Sequence, residues 1–155
     1  MPNSPRNAHA EFLVKRLPNA QFLDLDAVAA PHELGLKHMM PEPRVFAEAM
    51  GTFQFRYPLS YLFIALGPGR FGILPSSHVM IYDTHGVFSS PRALFMFRAY
   101  GHKKSSIING GLPCWVDEGL SLQNGKPQIP KPVSYPIPNL NRGTIRGQHS
   151  VLNAI

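Results

Sequence analysis

The sequence predicts an α/β domain built on a parallel sheet with helices on its faces. Three observations predict it. Strand-like and helix-like segments alternate along the first 125 residues, an order that calls for crossover connections and a parallel sheet. His78-Val79-Met80-Ile81-Tyr82 is a nearly continuous apolar run, as in strands covered on both faces. Turn and cap residues punctuate the elements where such a fold needs them: Pro18-Asn19, Gly51, Gly101 and Gly110-Gly111.

In chain order, residues 8–17 read as a helix, because Ala10, Leu13, Val14 and Leu17 follow the i, i+3, i+4, i+7 pattern. Residues 20–26 read as a short strand closed by Asp26, at the end that faces the ligand crevice in parallel α/β sheets. Residues 27–42 are irregular, broken by Pro31, Gly35 and Pro41. Pro43 suits the first turn of a helix over 43–51, with Val45, Phe46, Ala49 and Met50 as its apolar face and Gly51 as its stop. After the strand at 78–82, Asp83-Thr84-His85-Gly86 makes a turn. A helix over 89–100 follows, capped by Ser89 or Ser90, with Pro91 near its first position. Residues 105–109 form a third strand, and 112–118 a short helix with Trp115 pointing inward. Prolines 127, 130, 132, 136 and 138 then mark an extended, semi-rigid linker, and 144–152 could open another helix.

The chain has 155 residues, 44% of them apolar, enough for one domain with a core and too many for a disordered chain. Its net charge of +6 is uneven: seven Lys/Arg against six Asp/Glu through Ser77, then eight against three. That excess attracts anions, although a solvated basic surface accounts for it equally and nucleic acid is not called for. A single cysteine, Cys114, excludes an internal disulfide. The most apolar segment, Tyr61 to Leu66, is far shorter than the roughly 20 residues of a membrane span. The Asp83-Thr84-His85 loop is too sparse in ligands for a metal site, His102-Lys103-Lys104 reads as a solvated basic turn, and no cofactor is implied.

Three segments, in this order, resemble the amino-terminal domain of two-domain sulfurtransferases, the thiosulfate (rhodanese) and 3-mercaptopyruvate enzymes. They are Arg16-Leu17-Pro18-Asn19-Ala20 running into Phe22 to Asp26; Ser90-Pro91-Arg92 with Met96 to His102; and Asn109-Gly110-Gly111-Leu112-Pro113 with Trp115 and Glu118-Gly119. The resemblance implies a rhodanese-like domain over 1–125, lacking the family's opening strand. Residues 126–155 become the interdomain linker and the start of a second rhodanese domain. Residues 54–71 have no counterpart; an intron read through in frame would produce such a segment, as would a genuine lid or partner-binding loop.

In that family the second domain carries a cysteine in the loop after its central strand, and the cysteine takes up sulfur as a persulfide. The equivalent position here is Asp83, and a carboxylate cannot form a persulfide. The resemblance therefore implies a non-catalytic half that supports sulfur transfer. Small anionic donors, thiosulfate or 3-mercaptopyruvate, would deliver sulfur to a thiol, cyanide or carrier-protein acceptor, in a mitochondrial or cytoplasmic setting. An inactive binding module or a truncated fragment is the alternative. The resemblance makes Asp26 and His38 the supporting catalytic pair: in mercaptopyruvate-type enzymes the matching residues face the second domain's active loop and assist proton transfer. Their spacing here is one residue longer. Arg92 is expected to serve the fold by bonding nearby loop carbonyls. Cys114, beside Trp115, is expected to be an ordinary thiol.

Overall fold

The computed structural model describes residues 6–51, 71–131 and 133–145. Five helices, two strands and a closing 3₁₀ turn lie within them. These are α1 (Ala8–Val14), α2 (Leu25–Val28), α3 (Pro43–Met50), β1 (Val79–Ile81), α4 (Ser90–Ala99), β2 (Ser105–Ile107), α5 (Gly111–Asp117) and the turn Arg142–Thr144. The segment 54–70 and the possible helix beyond 145 fall outside the described residues.

β1 and β2 pair in parallel, Val79 opposite Ser105 and Ile81 opposite Ile107. The crossover between them is α4, which packs on both strands. This is the βαβ unit that the apolar run at 78–82 and the helix after it require. Among the described residues the sheet has these two strands.

The first strand expected from sequence, at 20–26, is a correction. The chain stays extended without a strand partner through Asp24 and then turns into α2. Asp24 is the cause: its carboxylate accepts the backbone N–H groups of Asp26 and Ala27, at 2.9 and 3.3 Å. Such a local side-chain cap offers the backbone an alternative to a ladder. Asp26 therefore sits in the first turn of a helix, not at a strand end. The first helix also ends earlier than expected, at Val14, because Arg16 leaves to pair with Gln123 through two backbone hydrogen bonds of 2.9 Å.

The core lies between α3, α4 and the tail. Phe46 is its hub, stacked on Tyr100 at 4.5 Å between ring centroids and edge-on to Phe97 and Tyr135. Met50, Met96, Ala47 and Ala49 complete it, with Leu23, Leu25, Ile73, Val79 and Ile81 packed around. Phe71 also packs here, and Phe71 and Ile73 donate to the Ala49 and Met50 carbonyls. The two flanks of the unmatched segment thus meet side by side.

The proline-rich segment is extended, as its composition requires, and part of it packs on the domain. Tyr135 is buried, and its hydroxyl bonds His102 Nδ1 at 2.9 Å. His102 is buried too, contrary to the solvated turn expected. Its Nε2–H donates to the Ser77 carbonyl at 3.0 Å, so Nδ1 is free to accept from Tyr135. Gly51 is where the tail crosses α3: a Cβ there would lie 2.5 Å from the Val133 carbonyl oxygen. Trp115 is half-buried instead of pointing into the core, with its indole N–H given to the Ser121 carbonyl.

Candidate functional site

Two neighbouring regions carry the candidate chemistry. The first is the loop after β1. Asp83 Oδ2 accepts the backbone N–H groups of Phe88, Ser89 and Ser90 at 2.8–3.0 Å, and Oδ1 accepts that of His85 at 2.9 Å. Neither Ser89 nor Ser90 caps α4 with its side chain; Asp83 takes that place. The negative carboxylate also sits at the positive end of the α4 dipole. Partial burial opposes ionisation, yet the four N–H donors prevail and hold the Asp83 carboxyl below its ordinary range.

The loop is stitched to the turn before α5. Leu112 N–H donates to the Asp83 carbonyl at 3.0 Å. Gly110 and Gly111 both have positive φ, and a Cβ on Gly111 would lie 2.4–2.5 Å from the carbonyl oxygens of Gly86 and Asp83. Only glycine allows this approach, which explains the Gly-Gly pair in physical terms.

The second region is the Asp26–His38 pair. The sequence named both residues, and the structure brings them together: His38 Nδ1 lies 2.9 Å from Asp26 Oδ1. Both side chains remain open to solvent, 51% and 61% exposed respectively. Asp26 is positioned by the α2 cap at Asp24, and α2 packs against α3. His38 sits in a left-handed conformation, φ 58°, which a non-glycine residue adopts at a cost. Arg92 holds it there, donating from Nε and Nη2 to the His38 carbonyl at 3.0 and 2.5 Å, and from Nη1 to Met40 Sδ at 3.2 Å. Sequence reading expected Arg92 to bond loop carbonyls but gave no signal that the carbonyl belonged to His38. An Ala30–Met39 bridge closes the loop behind the pair. The arrangement orients an imidazole through its Nδ1 and leaves the side chain half exposed, a geometry suited to passing a proton to a group presented from outside the domain.

Beside these regions the surface is apolar: Val87, Phe88 and Phe95 are exposed, Phe88 by 60%. The Arg92 guanidinium lies 5.7 Å from the centre of the Phe95 ring. Cys114 is an exposed free thiol on α5, apart from the Asp26–His38 pair. No described helix is long and apolar enough to cross a membrane.

The parallel βαβ unit, with the loop after β1 closed onto the turn before α5, matches solved structures of one class: this is a domain of rhodanese fold. The structure resembles a solved Escherichia coli 3-mercaptopyruvate sulfotransferase with 31% identity and a TM-score of 0.56, over 88% of this chain and 44% of that one. It also matches a sulfur transferase subunit of yeast mitochondrial complex I, TM-score 0.66 at 24% identity, over 97% of this chain and 48% of that one, which speaks for the fold alone. In sequence the chain is 34% identical to a probable 3-mercaptopyruvate sulfurtransferase of Schizosaccharomyces pombe, over all of this chain and 46% of that protein. It is 34% identical to human 3-mercaptopyruvate sulfurtransferase, over 87% of this chain and 39% of that protein. No protein-family model matches. The chain is a rhodanese-fold domain whose sequence relatives are 3-mercaptopyruvate sulfurtransferases, and it spans less than half the length of those relatives. Relatives include a mitochondrial enzyme of Arabidopsis thaliana, described as a thiosulfate/3-mercaptopyruvate sulfurtransferase.

Proposed function

We propose that this domain is the supporting half of a two-domain sulfurtransferase, acting with a second rhodanese domain that carries the persulfide cysteine. The observation that carries the reading is Asp83. It stands where a sulfur-carrying loop would hold its nucleophile, and its carboxylate is already bound by four backbone N–H groups. A carboxylate so held has no sulfur chemistry. The exposed Val87, Phe88 and Phe95 beside it offer a face on which the partner domain can rest.

The proposed substrates are 3-mercaptopyruvate or thiosulfate as donor, and a thiol, cyanide or carrier protein as acceptor, in a mitochondrial or cytoplasmic setting. With mercaptopyruvate, the partner's cysteine thiolate attacks the donor sulfur. The S–S bond forms, the C–S bond breaks, and its electron pair leaves on carbon as the enolate of pyruvate. The donor thiol must lose a proton and the enolate must gain one. His38, oriented by Asp26, acts as the relay for that proton through the partner's active loop. Thiosulfate leaves as sulfite and makes less use of a relay.

The test joins this chain to a matching second domain. His38→Ala lowers turnover with mercaptopyruvate by about 10²-fold and with thiosulfate much less, and it flattens the pH profile for mercaptopyruvate. Equal losses with both donors would reduce the pair to an interface role. The 155-residue chain alone should give no thiocyanate from cyanide with either donor; turnover abolished by Cys114→Ser would overturn the supporting role.

A further inference from the structure

One cavity lies apart from both regions, where the turn after α1 meets the segment that follows α5. It has a volume of about 390 Å³ and is lined by Arg16, Asn19, Gln123, Asn124, Lys126 and Gln128, with Ala20, Leu122 and Pro127. None of these residues belongs to the Asp83 loop or to the Asp26–His38 pair.

Its charge is one-sided. Two cations line it and no carboxylate does. Arg16 is only 3% exposed. Its guanidinium lies 5.2 Å from the centre of the Phe12 ring and gives Nη1–H to the Gly125 carbonyl at 2.7 Å. Among the described residues its Nε has no hydrogen-bond partner, and no carboxylate lies within ion-pair distance. Buried charges are ordinarily paired, because an uncompensated one is costly. Here no described residue supplies the counter-charge.

The remaining polar walls are four primary amides, which both donate and accept. Gln123 commits its oxygen, accepting Asn19 N–H at 2.9 Å, so its NH₂ is left to donate. The walls are fixed to each other by the paired Arg16 and Gln123 backbone bonds, by Gly125 N–H to the Leu13 carbonyl at 2.7 Å, and by the Gln21 amide to the Gln128 carbonyl at 3.0 Å. A site tied on both sides loses little freedom on binding. The volume falls at the small end of ligand pockets.

We propose that this cavity binds a small organic acid, a carboxylate that carries further hydroxyl or carbonyl oxygens. The carboxylate supplies the counter-charge for Arg16 and Lys126, and its other oxygens meet the amides. A bare inorganic oxyanion such as sulfate would satisfy the cations and the amide N–H donors but, having no donor of its own, would leave the amide oxygens unmatched.

The experiment is a titration of the 155-residue chain with citrate, read from amide ¹H–¹⁵N shifts, with sulfate in parallel and sodium chloride at matched ionic strength as control. Citrate should move the resonances of residues 16–20 and 122–128 saturably, and bind more tightly than sulfate. Lys126→Ala and Gln123→Ala lie on exposed positions and should leave the fold intact. Together they should weaken citrate about tenfold, the order expected for losing a charge-assisted bond. Arg16→Gln should weaken it further if the variant folds. Equal shifts with chloride, or an unchanged citrate affinity in the double variant, would overturn the site; sulfate binding as tightly as citrate would overturn its assignment to an organic acid.

Discussion

The Asp83 loop and the Asp26–His38 pair each hold a carboxylate, and they use it in opposite ways. Asp83 is consumed by its surroundings: both oxygens are bound by backbone N–H groups of its own loop. Asp26 is spent on one partner, a solvent-facing imidazole. The first carboxylate builds structure. The second orients a half-exposed imidazole, the group to which the proposed function gives a proton relay.

The comparison breaks most visibly at Gly111. Gly111→Ala places a methyl against two backbone carbonyls at a positive φ of 57°. It should cost about 3 kcal/mol, the upper range for a strained backbone position, or prevent folding, as read by urea unfolding. Asp83→Ala comes next, because it strands four N–H donors, three of them at the start of α4. A loss of about 1–3 kcal/mol is expected, with hydrogen exchange accelerated at Phe88, Ser89 and Ser90. Were Asp83→Ala neutral, water would be doing the work assigned to the carboxylate.

Acidity sharpens the same contrast. The folded Asp83 carboxyl is held below its ordinary value of 3.8. Its contribution to stability is therefore present above pH 3.8 and is lost as pH falls through the lower folded value. In Asp83→Asn that component should vanish, so the variant's stability should fall less steeply as pH drops below 3.8. An unchanged acid limb in Asn would place the acid sensitivity elsewhere. Smallest of all, Asp26→Asn should change stability by under about 0.5 kcal/mol, since exposed pairs contribute little. Arg92→Met, by contrast, should release the His38 loop and broaden its NMR signals without unfolding α4.

Much of this was legible in the sequence where local rules and tertiary packing agree. The apolar run at 78–82, Pro91 at the head of α4, Pro43 and Gly51 around α3, and Gly110-Gly111 each determine one element, and the structure follows them. Residues 20–26 read as a strand from the apolar Phe22, Leu23 and Leu25, while Asp24 caps a helix, and only the absence of a ladder partner decides between the two. Asp26 and His38 were named from resemblance; no spacing rule would bring together a residue of a one-turn helix and one in the irregular loop after it. That a carboxylate, Asp83, stands where the resemblance puts the family's nucleophile was visible as a residue type. That it caps α4 was not, since its donors lie five to seven residues downstream in a loop of no regular pattern. His102 looked solvated beside two lysines because its partner, Tyr135, lies 33 residues further on.

Tyr135 also changes what the tail is as a polymer. A free, proline-rich chain from Lys126 to Ile145 would wander over a span of up to about 60 Å, at roughly 3.1 Å for each of its 20 residues. Burial of Tyr135 and the bond from Asn141 N–H to the Ala99 carbonyl remove nearly all of that wandering. Whatever the chain joins beyond residue 145 is launched from one fixed point at the end of α4. Its local concentration around the domain is then set by the few residues after the anchor, so that a hydroxyl and an imidazole in the core act as the mooring of a tether.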